Sequence, residues 1–309
     1  MTKYSDKASA IKNKLDAKYN KATYSQTVAS NAEGAYEIGK ITVDGTQTTI
    51  YGQNTQGSTS PGTFTDLQAL ITNATAPNGQ IPIIILNKDY KYDSTTDSSL
   101  TSGITTSKDI TIIGNGHVID GNNSKRTFYI NGQYTINLYD LRIQNCSGNY
   151  GGAIYANTGA MVNINNTTFN QNNATTSGGA IYANSATVNI NNTQFTNNIA
   201  DTRGGAINTW SDATININNT TFNQNTATDY GGAIYANSSA TVTMKNSSFQ
   251  NNTASNYVNI YSYNAITIYN CTIPNIATSC YNVTNITIES LVNMIGDAIT
   301  YINGTGSGN

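Results

Sequence analysis

Charged residues are scarce in this chain. Only 10% of its 309 residues are Asp, Glu, Lys or Arg, and the formal net charge is −2. A protein that binds nucleic acid needs a basic face to neutralise phosphates, so the composition argues against that class. Long apolar runs are missing too, because no segment approaches the roughly 18 to 20 apolar residues of a membrane span. We therefore predict neither nucleic-acid binding nor membrane insertion.

Histidine and cysteine are rarer still. The single histidine, His117, stands in a Gly-Asn-Gly-His stretch with no evident partner for nucleophilic catalysis. The three cysteines, Cys146, Cys271 and Cys280, are an odd number without CxxC spacing, which predicts neither a disulfide scaffold nor a metal site. We predict that all three are buried free thiols, and a disulfide between Cys271 and Cys280 is the alternative. No motif indicates a cofactor, and no loop motif supports Ca²⁺ at the Asp and Asn corners.

Carboxylates are also sparse, and this bears on catalysis. Glycoside hydrolysis needs two carboxyl groups converging on one cleft, and beyond residue 109 the chain has few acidic residues. Asp201, Arg203 and Asp229 come nearest to a cluster, at corners of adjacent repeats, but a solvated turn explains them better. We predict that the protein is not an enzyme, and a polysaccharide lyase or glycoside hydrolase is the second alternative.

Repetition is what the sequence has in abundance. Four units begin with Gly-Gly-Ala-Ile and end with Phe-x-x-Asn, and a fixed period of this length is typical of stacked repeat architectures. Their first glycines are spaced 27, 26 and 27 residues apart: Gly151, Gly178, Gly204 and Gly231. Asn, Thr and Gly disfavour helix interiors, and apolar residues alternate with polar ones as in strands. The pattern predicts an all-β chain folded as a single-stranded parallel β-helix, with three short strands per turn.

The alternation also predicts the core. One inward column of identical residues comprises Ile154, Ile181, Ile207 and Ile234, and a second comprises Phe169, Phe195, Phe222 and Phe249. Stacked identical apolar residues form a dry core, and columns of Asn can form hydrogen-bonded ladders.

The ends of the repeats set the predicted domains. Imperfect units extend the period to about eight turns, so we assign residues 63–290 to the β-helix, with a capping helix over 63–75 and the first strand over 81–86. Residues 291–309 are predicted to be a C-terminal cap and tail. Residues 1–60 are predicted to be a separate anchoring or oligomerising module, with a helix over 4–22, a hairpin over 38–52 and a linker over 52–62. The helix suits trimerisation or docking onto a larger assembly, or simple packing on a neighbour.

One outward ladder is the candidate binding site. Equivalent positions in successive turns are Tyr129, Tyr155, Tyr182, Asn208, Tyr235 and Tyr261. Two residues further on, Trp210 and Tyr263 interrupt a column of Asn residues. Aromatic faces flanked by amides offer sugar rings both apolar contact and hydrogen bonds. The alternative is that stacked tyrosines stabilise the sheet surface or cover a neighbouring subunit, although the repeat itself does not require Trp210.

The motifs also resemble a known family. Gly-Gly-Ala-Ile with Phe-x-x-Asn resembles the polymorphic-membrane-protein repeat of bacterial surface proteins. Residues 109–121, followed by Phe128-Tyr129-Ile130 and the Gly-Gly-Ala-Ile-Tyr units, resemble the adhesin-like proteins of methanogenic archaea. The resemblance covers residues 64–290. It implies a right-handed, pectin-lyase-like β-helix and surface adhesion, but it implies no particular ligand.

Together these observations predict a non-enzymatic adhesin or receptor-binding protein that attaches to a host cell-surface glycan or surface protein. Residues 1–6 are polar and lack the apolar segment of a signal peptide. An N-terminal module followed by a rod has the layout of an attachment fibre, which favours an extracellular place on the tail of a virus that infects a methanogen. A cell-surface adhesin of such an archaeon, with its export signal removed, is the alternative.

Overall fold

The chain folds as a parallel β-helix. The computed structural model describes residues 22–25, 35–43, 46–53, 60–76 and 79–286. Over this part the protein is all-β with few helices and matches the predicted right-handed β-helix. One of its sheets has seven parallel strands, one from each turn. The β-helix therefore has about seven turns, whereas the repeat alignment predicted about eight.

Each turn passes through three main strand positions, and each strand pairs in parallel with its counterparts one turn away. The first column follows the glycine corner and contains Ile104–Thr105, Phe128–Ile130, Ile154–Ala156, Ile181–Asn184, Ile207–Trp210 and Ile234–Ala236. The second column contains Ile83–Ile85, Ile110–Ile113, Thr135–Tyr139, Met161–Asn165, Thr187–Asn191, Thr214–Asn218 and Thr241–Lys245. Two longer strands extend both columns beyond these turns: Ile260–Tyr269 and Cys280–Ile286.

The third column is a sheet of its own. Its strands are Tyr90–Lys91, Val118–Asp120, Arg142–Gln144, Thr168–Asn170, Gln194–Thr196, Thr221–Asn223 and Ser248–Gln250. A fourth, shorter column lies just before the glycine corner and contains Ser147–Tyr150, Asn173–Ser177, Ile199–Ala200 and Thr226–Ala227.

The core follows the predicted columns. The four isoleucines and four phenylalanines of the two predicted columns are fully buried. The phenylalanine rings of the third column stack with centroids 4.9, 5.1 and 4.8 Å apart and planes within 11° of parallel. Rings at this separation match the spacing between strands, so the backbone stacking and the ring stacking reinforce each other.

A buried ladder of asparagines lies beside the phenylalanine column. Asn198 is representative, because its Nδ2 donates to the Phe169 carbonyl at 3.1 Å and to Asn225 Oδ1 at 2.9 Å. Its Oδ1 accepts from the backbone N and the Nδ2 of Asn172, at 3.1 and 2.9 Å. The last residue of Phe-x-x-Asn therefore satisfies backbone groups that the corner would otherwise leave unpaired inside the rod.

Asparagine also forms the sharp corners between the second and third columns. The corner residue adopts a left-handed conformation, with φ between 47° and 52°, at Asn166, Asn192, Asn219 and Asn246. Asn tolerates this region better than most residues with a side chain. Corner geometry and buried hydrogen bonding between turns thus explain these two sets of asparagines.

The predicted capping helix is present as Phe64–Asn73. Thr63 is its N-cap and forms a capping box with Asp66, while Phe64, Leu67, Leu70 and Ile71 are buried. The buried carboxylate of Asp97 accepts hydrogen bonds from the backbone N atoms of Phe64 and Thr65 at 3.0 and 2.7 Å. This carboxylate fixes the first helical turn, where a negative charge is favoured. A second, short helix, Ile276–Ser279, precedes the last described strand.

The N-terminal strands join the stack. Ala35–Val43 and Thr46–Gln53 form an antiparallel hairpin where residues 38–52 were predicted to form one, and Ala22–Ser25 pairs with the first of them. Thr46–Gln53 also pairs in parallel with Ile83–Ile85, so the hairpin continues the second column instead of standing apart from it. Residues 4–21 of the helix predicted over 4–22, residues 54–59 of the linker and the cap over 291–309 lie outside the described residues, whereas residue 22 begins the strand Ala22–Ser25.

The three cysteines, all in the described part, are buried free thiols as predicted. Burial raises the pKa of the Cys146 thiol to about 12, and it raises the pKa of Cys271 and of Cys280 as well. Since the thiolate is the reactive form, we expect the folded protein not to react with a disulfide reagent such as DTNB at pH 8. All three thiols should react once the chain is unfolded in guanidinium. Rapid release of one equivalent of thiolate chromophore from the folded protein would contradict this burial.

Candidate binding site

The predicted tyrosine ladder is aligned by the strand register of the first column. The pairings connect Tyr129, Tyr155, Tyr182, Asn208, Tyr235 and Tyr261 in order. The register continues to Tyr281, which the sequence did not identify. Tyr281 follows Tyr261 after only 20 residues, because the last turn is shorter than the repeat period.

The rings of this ladder contact one another in two different ways. Tyr129, Tyr155 and Tyr182 meet edge to face, with centroids 5.3 and 5.1 Å apart. Tyr235, Tyr261 and Tyr281 are stacked nearly parallel, 5.4 and 5.0 Å apart. Asn208 stands between the two groups and interrupts the ladder.

Much of the ladder is covered. Tyr235 and Asn208 are each 1% exposed and Tyr182 is 7% exposed. The prediction that these three residues belong to an open outer face is therefore wrong. The covering groups precede the Gly-Gly corners. Tyr150 lies with its ring 4.8 Å from that of Tyr182, and Tyr230 lies 4.9 Å from Tyr261, each over the ring of the following turn.

Two arginines take part in the same covering layer. Arg126 lies over the rings of Tyr129 and Tyr155 and donates from Nε to the Gly151 carbonyl at 2.8 Å. The Arg203 guanidinium carbon lies 5.1 Å from the centre of the Tyr235 ring, beside the position where Asn208 replaces a tyrosine. Arg203 therefore provides a planar cationic group where the ladder lacks an aromatic ring.

Burial also changes the ionisation of the covered tyrosines. It raises the pKa of Tyr182 and of Tyr235, and a hydrogen bond with Tyr263 raises the pKa of Tyr235 further. Both phenols stay protonated at physiological pH. These two rings of the ladder are therefore neutral.

Two polar atoms at the interruption are buried without a hydrogen-bond partner among the described residues: Asn208 Oδ1 and Arg203 Nε. An unpaired buried acceptor or donor costs about 1 to 3 kcal/mol, and such a group needs an explanation, such as a bound water, ion or ligand. Asn223 Oδ1, in the third column, is a further buried atom of this kind. Trp210 stands on the same strand as Asn208, two residues on, and is 41% exposed. The two unpaired polar atoms and the single tryptophan thus lie close together in the sequence, between residues 203 and 210.

The column of residues two positions after the tyrosines is partly an amide ladder. Asn157 donates to Asn131 Oδ1 at 2.9 Å, and Asn184 donates to Asn157 Oδ1 at 2.8 Å. Asn184 then pairs in register with Trp210, which ends this ladder. Extending the register places Tyr263, 50% exposed, two turns beyond Trp210, or about 10 Å away at two inter-strand spacings.

The residues considered for catalysis are arranged differently. Asp201 is exposed and Asp229 is half-buried, while Arg203 packs against Tyr235. His117 Nδ1 lies 3.0 Å from Asp89 Oδ1, a partner that the sequence did not indicate. Across the described ranges, His, Cys, Asp and Glu side chains form no group of three or more able to hold a metal ion.

Comparison with known proteins identifies the repeat. The Chlamydia polymorphic membrane protein repeat matches residues 166–184, 192–209 and 219–237. Each match runs from the corner after the second column to the first-column strand of the next turn, and so includes Phe-x-x-Asn and Gly-Gly-Ala-Ile. No curated protein and no solved structure matches the chain. Within the described residues, no helix has the length and apolar character to cross a membrane. Repeats of this type, on a parallel β-helix, suggest an adhesin-like surface protein.

Proposed function

We propose that this chain is a non-enzymatic adhesin that attaches to a cell-surface glycan or surface protein through the turn that carries Trp210. The observation that carries the proposal is an exposed indole two residues from the interruption of the ladder, where Asn208 Oδ1 and Arg203 Nε are buried without partners among the described residues. Since the other perfect units have Asn at the equivalent position, folding of the repeat does not explain the tryptophan.

The surroundings of Trp210 suit a sugar ring. The indole offers a flat apolar face, and the amide of Asn184 one turn away can hydrogen-bond to hydroxyls. Tyr263 supplies a second exposed ring two turns further along the rod. Two aromatic rings about 10 Å apart along one axis can support alternate residues of an extended glycan.

Trp210→Ala tests this site. We expect binding to host cells or cell-wall glycan to fall by about 30-fold, because loss of an exposed aromatic anchor typically costs about 2 kcal/mol in binding. The free energy of unfolding should change by no more than about 0.5 kcal/mol, as for other surface positions. Binding of the fluorescently labelled full chain to cells, measured by titration, gives the affinity.

The matched control for this variant is Ile199→Ala. Ile199 is exposed to a similar extent, 46%, but lies in the fourth column, on another side of the turn. Its variant should bind as well as the natural protein. A folded Trp210→Ala protein with unchanged affinity would remove Trp210 from the site, and release of reducing ends from the glycan would contradict a purely adhesive function.

A second part of the proposal concerns the larger assembly to which the protein is attached. We propose the tail of a virus infecting a methanogenic archaeon, with residues 1–60 docking onto a larger assembly as a homotrimer, and the archaeal cell surface as the alternative. The sequence supports this layout, because residues 1–60 contain none of the motifs of the repeat that follows. Immunogold labelling with antibodies against residues 104–286 discriminates the two, because it would mark either released particles or the envelope of uninfected cells.

A further inference from the structure

We propose that the second column of strands carries a separate groove that binds a neutral, hydroxyl-rich polymer, namely an unbranched stretch of polysaccharide. The inference rests on the proposed adhesive function for taking a glycan as the ligand. It concerns a different strand column from the one that carries Trp210, and it is argued from different residues.

The groove has the size of a ligand site. It is an open depression of about 440 Å³ across five successive turns of the second column, a volume within the range of sites that hold small molecules or short segments of a polymer. Two parallel lines of outward side chains form its walls, one line containing Asn163, Asn189 and Asn216, and the other Asn165, Asn191 and Asn218.

The amides of the first wall hold one another in a fixed orientation. Asn163 donates to Asn137 Oδ1 at 2.7 Å, Asn189 to Asn163 Oδ1 at 2.7 Å, and Asn216 to Asn189 Oδ1 at 2.8 Å. A primary amide has two N–H donors and two acceptor lone pairs, and the ladder uses one of each. The wall therefore presents a spare donor and a spare acceptor at every turn, about 4.8 Å apart and already ordered before binding.

Uniform amides are not needed for the stacking itself. The outward residues of the third column change from turn to turn, with Asn170, Thr196 and Asn223 at one equivalent position. Two of these amides bond within their own turn, Asn170 to Gln171 and Asn223 to Gln224. Bonds between turns on the outer face of this column are limited to isolated pairs, such as Gln144 with Asp120 and Ser248 with Thr221. The third column thus stacks in the same register without a continuous amide ladder, so stacking alone does not explain the amide walls.

The chemistry of the walls selects the ligand class. Alternating donors and acceptors match hydroxyl groups, which can both donate and accept. The walls carry one charge, Lys245 at one end, and one ring, Tyr139 at the other. A polyanion would need several cations, and an apolar peptide would leave the amides unpaired, so a neutral polysaccharide fits best.

The test uses the full chain and measures retardation in gels that contain soluble mannan, β-glucan or, as an anionic comparison, polygalacturonate. The key variant is Asn189→Thr with Asn216→Thr, which removes the spare amides. Thr243 occupies this line one turn further on, so threonine is accommodated there. We expect at least a tenfold loss of affinity for the neutral polysaccharide that the natural chain binds.

The matched control is Asn170→Thr with Asn223→Thr in the third column, where Thr196 already occupies the equivalent position. It should bind unchanged. If the key variant fails to fold, Asn191→Tyr replaces it, since Tyr139 occupies that same line and a ring there would fill the groove. Three results would overturn the proposal. They are retained affinity in a folded groove variant, preference of the natural chain for polygalacturonate, and failure of the natural chain to bind either neutral polymer.

Trp210→Ala in the same gels separates this inference from the proposed function. Loss of binding in the groove variant alone supports the groove and removes Trp210 from glycan recognition. Loss of binding in Trp210→Ala alone overturns the proposal that the groove binds polysaccharide, and it supports the site at Trp210. Loss in both variants, with the control unchanged, supports one glycan that contacts both columns.

Discussion

Replacing Asn198 with alanine is expected to lower the free energy of unfolding by about 3 to 4 kcal/mol. The side chain is fully buried and makes four hydrogen bonds, two as donor and two as acceptor. Without this side chain, the Asn172 backbone N–H loses its acceptor and the Phe169 carbonyl loses its side-chain donor. Each buried group left unpaired costs about 1 to 3 kcal/mol, and the alanine cannot admit these groups to solvent.

Guanidinium unfolding followed by circular dichroism measures this effect at 25 °C. Gln194→Ala is the control, because Gln194 lies in the neighbouring strand of the same turn and is exposed. It should change stability by no more than about 0.5 kcal/mol. A loss below about 1 kcal/mol for Asn198→Ala would show that the buried ladder is not a main source of stability.

Gly205→Ala is expected to have a larger effect and to prevent folding. A Cβ atom there would lie 2.1 Å from the Gly232 carbonyl oxygen and 2.5 Å from the Thr226 carbonyl oxygen. Both obstacles are backbone atoms of the next turn, and neither can move without changing the spacing between turns. Soluble yield and the far-ultraviolet circular dichroism of the purified protein measure the outcome.

Gly116→Ala separates this steric effect from backbone strain. Gly116 has a φ of +82° but nothing within 4 Å of its added Cβ, so alanine there should cost only about 1 to 2 kcal/mol. The protein should fold and unfold slightly more easily. Equal stability of the two alanine variants would mean that close approach between turns does not account for the second glycine of Gly-Gly-Ala-Ile.

The repeat predicted most of this fold, because its signals are local and recur in every turn. The columns of Ile154 and Phe169 and the register from Tyr129 to Tyr261 follow directly from a fixed period. The helix Phe64–Asn73, predicted over 63–75, likewise follows from a local pattern. The pairing of Thr46–Gln53 with the first turn was missed, since that strand contains none of the repeat's motifs.

The candidate site was harder to predict, because exposure depends on residues that the repeat does not fix. The period places Tyr182 and Tyr235 on the outer face, yet Tyr150 and Arg203 cover them. The covering residue stands before Gly-Gly, where successive turns have Tyr, Ser, Arg and Tyr. A variable corner position therefore decides which rings a ligand can reach. Trp210 was identified because it departs from the period.

Each turn of the rod pairs only with the turn before it and the turn after it. Inserting or deleting one unit of 26 or 27 residues at a Gly-Gly boundary would therefore leave the remaining interfaces as they are, and would change the length by about 5 Å. A repeat protein built in this way can change its length by duplication of gene segments, while the single divergent turn that carries Trp210 is kept unchanged.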